Sequence, residues 1–188
     1  LCFNKNSAIK EGVPVKPEIN IHKAMLLEKN TYSTQEVVKL TGLEQYHLRY
    51  YDKLKIFSPS VQSSRYKRKK YSPLDVLVLQ AISALKEKGM PFIRIRKVIE
   101  NLQRHYGLKK PFHSALDGRQ NITILTDGIK DFYICFNDHE VVEHLKAGGQ
   151  YMLLDVSDIA CDLKEKIRAL QMFKKKKAMR RLKKVASR

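Results

Sequence analysis

A glycine between two short amphipathic segments is the feature that most constrains the fold of this chain. Before Gly42, the apolar side of the first segment includes Val38; after it, Leu48 and Tyr51 are three residues apart and share one face of a helix. Glycine suits the left-handed backbone of a tight turn. The spacing therefore predicts two short helices joined at Gly42, which is a helix-turn-helix.

Proline and glycine mark two further helices. Ser72-Pro73 combines an N-cap residue with proline at the first helical position, and Gly89 ends the helix that follows. Pro91 begins the next helix and Gly107 ends it. With the first two helices they predict one small core. Their predicted buried faces are Leu74, Leu77, Val78, Ala81, Ile82 and Leu85, then Phe92, Ile95, Val98, Ile99 and Leu102.

The segment between Pro59 and Ser72 is polar and strongly basic. Tyr66 and Tyr71 bracket the sequence KRKK, residues 67–70. We predict a β-hairpin here, a wing from which cationic side chains project. Those side chains are Arg65, Lys67, Arg68, Lys69 and Lys70.

The sequence changes character after Gly107. The strand-like runs NITILTD and KDFYICFND are joined around Asp127-Gly128, which is a hairpin signal. HEVVEHLKAGG then predicts a helix, QYMLLDV a third strand, and Ser157 the cap of a final helix. The order β-β-α-β-α predicts a small α+β domain.

Together these elements predict a mainly α protein with an added small α+β domain. The first thirty residues contain glycine and prolines without a sustained period, so we expect a flexible extension there. The expected parts are that extension over 1–30, a winged helix-turn-helix over 31–107, the β-β-α-β-α domain over 108–170, and a basic C-terminal helix or tail over 171–188.

The net charge of +18 is concentrated in two separate blocks. Residues 32–106 carry fifteen basic and six acidic side chains, and residues 171–188 carry nine basic and none acidic. Between them, residues 107–170 carry eight basic and ten acidic side chains. This distribution indicates polyanion binding by two elements. For the tail, a DNA-binding arm is favoured over a solvated end or a helix that binds RNA or an anionic membrane.

Several classes of site are not supported by the sequence. Cys2, Cys135 and Cys161 are far apart, which argues against a disulfide framework or a zinc knuckle, and no catalytic motif or phosphate-binding loop is present. The acidic and histidine residues over 138–144 are interpreted as helical surface charge. We therefore expect no catalysis, no metal and no cofactor. No apolar run of membrane-spanning length occurs, so a cytoplasmic protein is expected.

The stretch YSTQEVVKLTGLEQYHLRYYDKLKIFSPS resembles the N-terminal DNA-binding domain of MerR-type transcription regulators. The most specific match is the LRYYD block, residues 48–52, followed by Ser58-Pro59, the basic wing and GMPFIRIRKVI. The resemblance covers roughly residues 32–106. It implies a winged helix-turn-helix whose second helix enters the major groove of duplex DNA, in a homodimer that acts on a two-fold operator. It also implies contacts with RNA polymerase and a location in the bacterial nucleoid.

The resemblance also assigns roles to particular residues. It places Gln45, Tyr46 and His47 at base edges, at the start of the recognition helix. Thr34 opens the first helix, whose amides meet a phosphate, and Arg49 and Tyr50 are phosphate contacts. The wing contacts are Arg65, Tyr66, Lys67, Arg68 and Lys69.

The chain departs from the family in three places. Lys55 stands where the family usually has glycine, and Arg65-Tyr66 stands where Gly-Tyr is usual. The family's long dimerisation helix is not predicted after Gly107. In its place, we predict that the α+β domain or the apolar stripe of the last helix supplies the dimer contact. The stripe is Ile159, Leu163, Ile167 and Leu170.

Two alternatives to a transcription regulator remain open at the level of sequence. An excisionase-like or architectural protein would use the same winged helix to bend DNA. A ligand-sensing regulator would hold its effector in the α+β domain, with Gly148-Gly149 as a candidate loop.

Overall fold

The computed structural model of the protein describes residues 31–61, 68–107 and 109–186, of which 109 and 181–186 are described by their backbone alone. The helix-turn-helix consists of α1 (Thr34–Thr41) and α2 (Gln45–Lys53). Gly42 between them is left-handed, with φ of 71°, and its N–H donates to the carbonyl of Val38 at 3.0 Å. The predicted turn at Gly42 is confirmed.

The N-terminus of α1 is closed by a reciprocal cap. The backbone N–H and the hydroxyl of Ser33 both donate to the Glu36 carboxylate, at 2.7 and 2.9 Å. Ser33 also belongs to the short strand β1 (Tyr32–Ser33), which pairs antiparallel with β2 (Lys70–Tyr71). The cap and the strand pair fix the start of α1 beside the end of the basic segment.

The C-terminus of α2 ends in a left-handed residue that is not glycine. Lys55 has φ of 55°, and its N–H donates to the carbonyl of Asp52, while the N–H of Ile56 donates to that of Tyr51, both at 3.0 Å. This pair of bonds is a Schellman motif, in which glycine usually occupies the left-handed position. The helix therefore keeps its terminal geometry with lysine at that position.

The segment that leads into α3 (Pro73–Glu87) is held by one buried carboxylate. Asp75 accepts hydrogen bonds from the backbone N–H of Ser72, at 2.8 Å, and from the N–H and hydroxyl of Ser60, at 2.9 and 2.6 Å. An isolated bridge between Val61 and Lys70 lies next to these contacts. Residues 62–67 between them, which include the predicted wing residues Arg65, Tyr66 and Lys67, lie outside the described residues.

Two helices follow α3. As predicted, Ser72-Pro73 begins α3, and Gly107 follows the end of α4 (Phe92–Tyr106). The next helix, α5 (Lys109–Asp117), was not predicted from the sequence. Phe112 and Ala115 of α5 are buried, and α5 packs against α3 and α4.

A three-stranded antiparallel sheet follows, in the order β4-β3-β5. Its strands are β3 (Thr123–Thr126), β4 (Phe132–Cys135) and β5 (Met152–Asp155), with α6 (Asp138–Lys146) between β4 and β5. In β3, Ile124 faces the main core, whereas Leu125 packs on the other side with Cys135 and Val141.

The last helix, α7, runs from Val156 to Ala186 and continues through the segment expected to be a separate tail. Leu163 and Ile167 are fully buried within the chain, and Ile159 and Leu170 pack against the same core. The stripe is covered by α3 and α5, so its prediction as the dimer contact is wrong.

One continuous core joins the two halves of the protein. Leu48 of α2, Leu77 of α3, Ile124 of β3 and Leu163 of α7 belong to the same buried cluster. Helix α3 is the centre of this arrangement because it packs against α1, α4, α5 and α7. The structure is therefore mostly helical with two small antiparallel sheets.

Candidate nucleic-acid interface

A concave surface of about 610 Å³ lies between the start of α1, the start of α2 and the strand β2. We call it the basic groove. Five of the predicted DNA-binding residues line it: Thr34, Gln45, Arg49, Arg68 and Lys69. The tight turn at Gly42 and the pairing of β1 with β2 bring these three parts of the sequence together.

The basic groove has cations at its rim, and one of them is held by a carboxylate of α2. Arg49, Arg68 and Lys69 are exposed, and the Lys69 ammonium pairs with the carboxylate of Asp52. The hydroxyl of Ser58 donates to the same carboxylate at 2.7 Å. Burial raises the pKa of Asp52, but the hydrogen bonds from Lys69 and Ser58 and the charge of Lys69 outweigh it, so the pKa lies below its ordinary value. Asp52 is therefore ionised at neutral pH and holds Lys69 beside α2.

The outward face of α2 includes Lys53, a cation beyond the predicted contact residues. Tyr46, Arg49, Tyr50 and Lys53 follow the spacing i, i+3, i+4, i+7, and all four are exposed. Leu48 and Tyr51 face the core, as predicted. The helical spacing alone was sufficient to find Lys53.

Three of the predicted residues line a different surface. Tyr46, His47 and Tyr50 border an apolar pocket of about 420 Å³ on the other side of α2, which we call the aromatic pocket. Phe92 at the start of α4 completes it, with its ring 5.1 Å from that of Tyr50 and stacked on Tyr51 at 5.4 Å. The predicted contacts are therefore divided between two neighbouring surfaces of α2.

His47 is engaged within the protein. Its Nδ1 accepts the backbone N–H of Glu44 at 3.3 Å, and its Nε2 lies 2.8 Å from the Nζ of Lys86. Burial lowers the pKa of His47, and the positive charge of Lys86 lowers it further. A neutral imidazole thus sits at the first turn of α2.

The acidic and histidine residues of α6 have local structural contacts. Glu140 accepts the backbone N–H of Phe136 at 2.8 Å, His139 pairs with Glu143 at 3.5 Å, and the ring of His144 stacks on Tyr133 at 4.0 Å. Across the parts of the chain that are described, no three His, Cys, Asp or Glu side chains are grouped to hold a metal ion. Nor is any described helix long and apolar enough to cross a membrane.

The helix-turn-helix and the basic groove define a DNA-binding domain of the helix-turn-helix class. Residues 32–102 match the sequence profile of the MerR HTH family regulatory proteins. This segment is therefore similar to the DNA-binding domain of MerR-type transcription regulators.

Similarity to known proteins extends beyond this domain. The chain is 25% identical over 147 residues to uncharacterized HTH-type transcriptional regulators of Mycobacterium tuberculosis and Mycobacterium bovis. The alignment covers 77% of this chain and 60% of each relative. Because it is about twice as long as the family match, it includes residues outside the helix-turn-helix.

Proposed function

We propose that the protein binds specific sequences in duplex DNA and thereby regulates transcription. The observation that carries this proposal is the basic groove, in which Arg49 of α2 and Arg68 and Lys69 beside β2 flank the first turn of α1. A helix with an exposed polar and aromatic face, flanked by cations, suits entry into the major groove.

The proposed contacts fall into two kinds. Arg49, Tyr50 and the cations from Arg65 to Lys69 contact phosphates, as does the start of α1 at Thr34, whose first amides point out of the helix. Gln45 and Tyr46 lie at the first turn of α2 and read base edges, whereas both ring nitrogens of His47, the third predicted reader, are engaged within the protein. Phosphate contacts supply affinity on every sequence, whereas base contacts supply the preference.

The proposal is tested with duplexes selected from a random library by the full chain. Arg49→Gln should weaken binding about tenfold or more on selected and random duplexes alike, because one charge-assisted phosphate contact is lost. Arg104→Gln is the matched control, since Arg104 is exposed on α4 and does not line the basic groove. Equal affinities for wild type and Arg49→Gln would contradict the phosphate role.

Base reading has a separate test. Gln45→Ala and Tyr46→Ala should reduce the ratio of affinities for selected and random duplexes by about 5- to 150-fold, the range expected for a lost base contact of about 1–3 kcal/mol. Equal losses on both duplexes would remove these residues from the reading role. Failure to select any duplex would contradict the function itself.

We propose further that the protein acts as a homodimer in the bacterial cytoplasm, where it contacts RNA polymerase at promoters. A two-fold operator requires two copies of α2 about one helical turn of DNA apart. Sedimentation of the full chain on a selected duplex gives the copy number. Mapping of binding sites across the genome distinguishes a regulator from an excisionase-like protein, since only the regulator is expected mainly at promoters.

A further inference from the structure

The last part of α7 leaves the body of the protein next to the first turn of α1. The ammonium of Lys174 pairs with the carboxylate of Glu36, which also accepts the hydrogen bonds from Ser33 at the start of α1. Two residues before Glu36, Thr34 lines the basic groove. The second basic block of the sequence therefore begins at the rim of the first.

Beyond this anchor, the helix presents cations to solvent. Lys175, Lys176, Lys177 and Arg180 are exposed, and within the described residues none of them forms an ion pair. The segment 171–188 carries nine basic side chains and no acidic one. Such a concentration of uncompensated charge requires a polyanionic partner or remains solvated.

We propose that residues 174–186 of α7 form a second DNA-binding element, which contacts phosphates of the duplex outside the segment that α2 reads. This inference rests on the proposed function of the helix-turn-helix. At about 1.5 Å per residue, the segment extends about 18 Å along the helix from Lys174, which is anchored at the rim of the basic groove. Its contacts add affinity without adding sequence preference.

The arrangement of apolar side chains favours DNA over a membrane surface as the partner. Met172, Phe173 and Met179 are exposed. However, Phe173 lies about 100° around the helix from Met172, and Lys176 lies about 40° from Met172. A helix that binds a membrane surface needs a continuous apolar face separated from its cations. Here the cations surround the helix, as suits a partner that is met through phosphates.

The test compares two triple variants of the full chain with the same change in charge. Lys175→Gln, Lys176→Gln and Lys177→Gln are combined in the first; Lys110→Gln, Lys130→Gln and Lys146→Gln, all exposed in the α+β half, are combined in the control. Dissociation constants on a selected and a random duplex are measured over a series of KCl concentrations.

We expect the α7 variant to bind both duplexes more weakly by the same factor. The slope of log K against log salt should become shallower by up to about 2.7, since each lost phosphate contact contributes about 0.9. The control variant should keep the wild-type slope. Circular dichroism of both variants checks that α7 remains helical.

Two results would overturn the inference: a wild-type slope in the α7 variant, or an equal change of slope in the control variant. If the α7 variant kept the wild-type slope but lost binding to phosphatidylglycerol vesicles, the partner of α7 would be a membrane surface instead of DNA. Each of these results is distinct from failure of the proposed function, in which the wild-type chain would bind no duplex and Arg49→Gln would have no effect.

Discussion

At the scale of single residues, Lys55 is the clearest departure of the chain from conformational preference. It is the one described residue other than glycine with a positive φ. Lysine in this conformation costs about 1 kcal/mol relative to glycine. The Schellman hydrogen bonds at the end of α2 offset that cost and keep the helix end in place.

Replacing Lys55 with glycine should therefore stabilise the protein. We expect Lys55→Gly to raise the free energy of unfolding by up to about 1 kcal/mol, measured by urea denaturation. Lys55→Gln controls for the loss of charge and should have little effect. Lys53→Gly, within α2, should destabilise by up to about 1 kcal/mol. A destabilised Lys55→Gly would show that the lysine side chain contributes more than its backbone strain costs.

The carboxylate of Asp52 gives the protein a predictable response to acid. Because its pKa is lowered in the folded protein, its contribution to stability is fully present above its unfolded pKa of about 3.9 and is lost as pH falls through the folded value. The pair with Lys69 is partly exposed, so we expect no more than about 1 kcal/mol.

The measurement is the difference in unfolding free energy between wild type and Asp52→Asn at several pH values. This difference should be constant from neutral pH down to about pH 5 and should close as the pH falls further. Asp162→Asn, at an exposed carboxylate of α7, is the control and should leave the acid response unchanged. A difference independent of pH would exclude the ion pair as its cause.

Residue-scale inference from the sequence was correct where helical spacing decides the outcome. The spacing of Leu48 and Tyr51 predicted which side of α2 is buried. It did not predict that Tyr50 meets Phe92 in the aromatic pocket, because that contact joins residues 42 positions apart and depends on how α4 packs. Similarly, the contact of Lys174 with Glu36 has no local signal in the sequence.

At the scale of elements, capping and turn residues carried the most information. Gly42, Ser72-Pro73 and Gly107 lie where the structure turns or begins and ends a helix. Helix α5 was not predicted; it contains Pro111 in its first turn, where proline is tolerated. Its short apolar face is recognisable only through its burial against α3 and α4.

The turn between β3 and β4 connects the sheet to α4. The carboxylate of Asp127 accepts backbone N–H groups of Ile129, Lys130 and Asp131 at 2.8–3.0 Å. Gly128 has φ of 72°, and a Cβ there would lie 3.0 Å from the Cβ of Arg94. The turn thus has both a conformational and a packing requirement for glycine.

Substitution at this turn separates the two requirements. We expect Gly128→Ala to lower the free energy of unfolding by more than the about 1–2 kcal/mol of a left-handed alanine, because Arg94 must also move. Gly118→Ala is the matched control: Gly118 has φ of 68°, but nothing lies within 4 Å of its added Cβ. Thermal or urea unfolding gives both values, and equal losses would mean that the contact with Arg94 is easily relieved.

At the scale of the whole molecule, the continuous core predicts that the two halves unfold together. Leu163 of α7 is fully buried in the cluster that also contains Leu48 of α2. We expect Leu163→Ala to cost about 2–5 kcal/mol, as typical for a buried leucine. Leu153→Ala is the control, because Leu153 lies on β5 with 41% of its surface exposed.

Hydrogen exchange measures whether this loss is shared. The slowest amides of α2 and α3 should lose the same free energy of protection as those of β3 and α7. If the helix-turn-helix kept its full protection in Leu163→Ala, the two halves would be independent folding units. The two parts that the sequence separates at residue 107 would then also unfold separately.

The packing of α7 across α3 also limits how this protein can exchange parts with its relatives. In a chimaera that replaces the residues before Gly107 with the DNA-binding domain of another regulator, Leu163 and Ile167 would face helices of a different sequence. A new combination of DNA-binding domain and C-terminal half therefore requires changes on α3 that restore its packing against α7. Recombination at this boundary should be rarer than in regulators whose two domains are joined only by a linker.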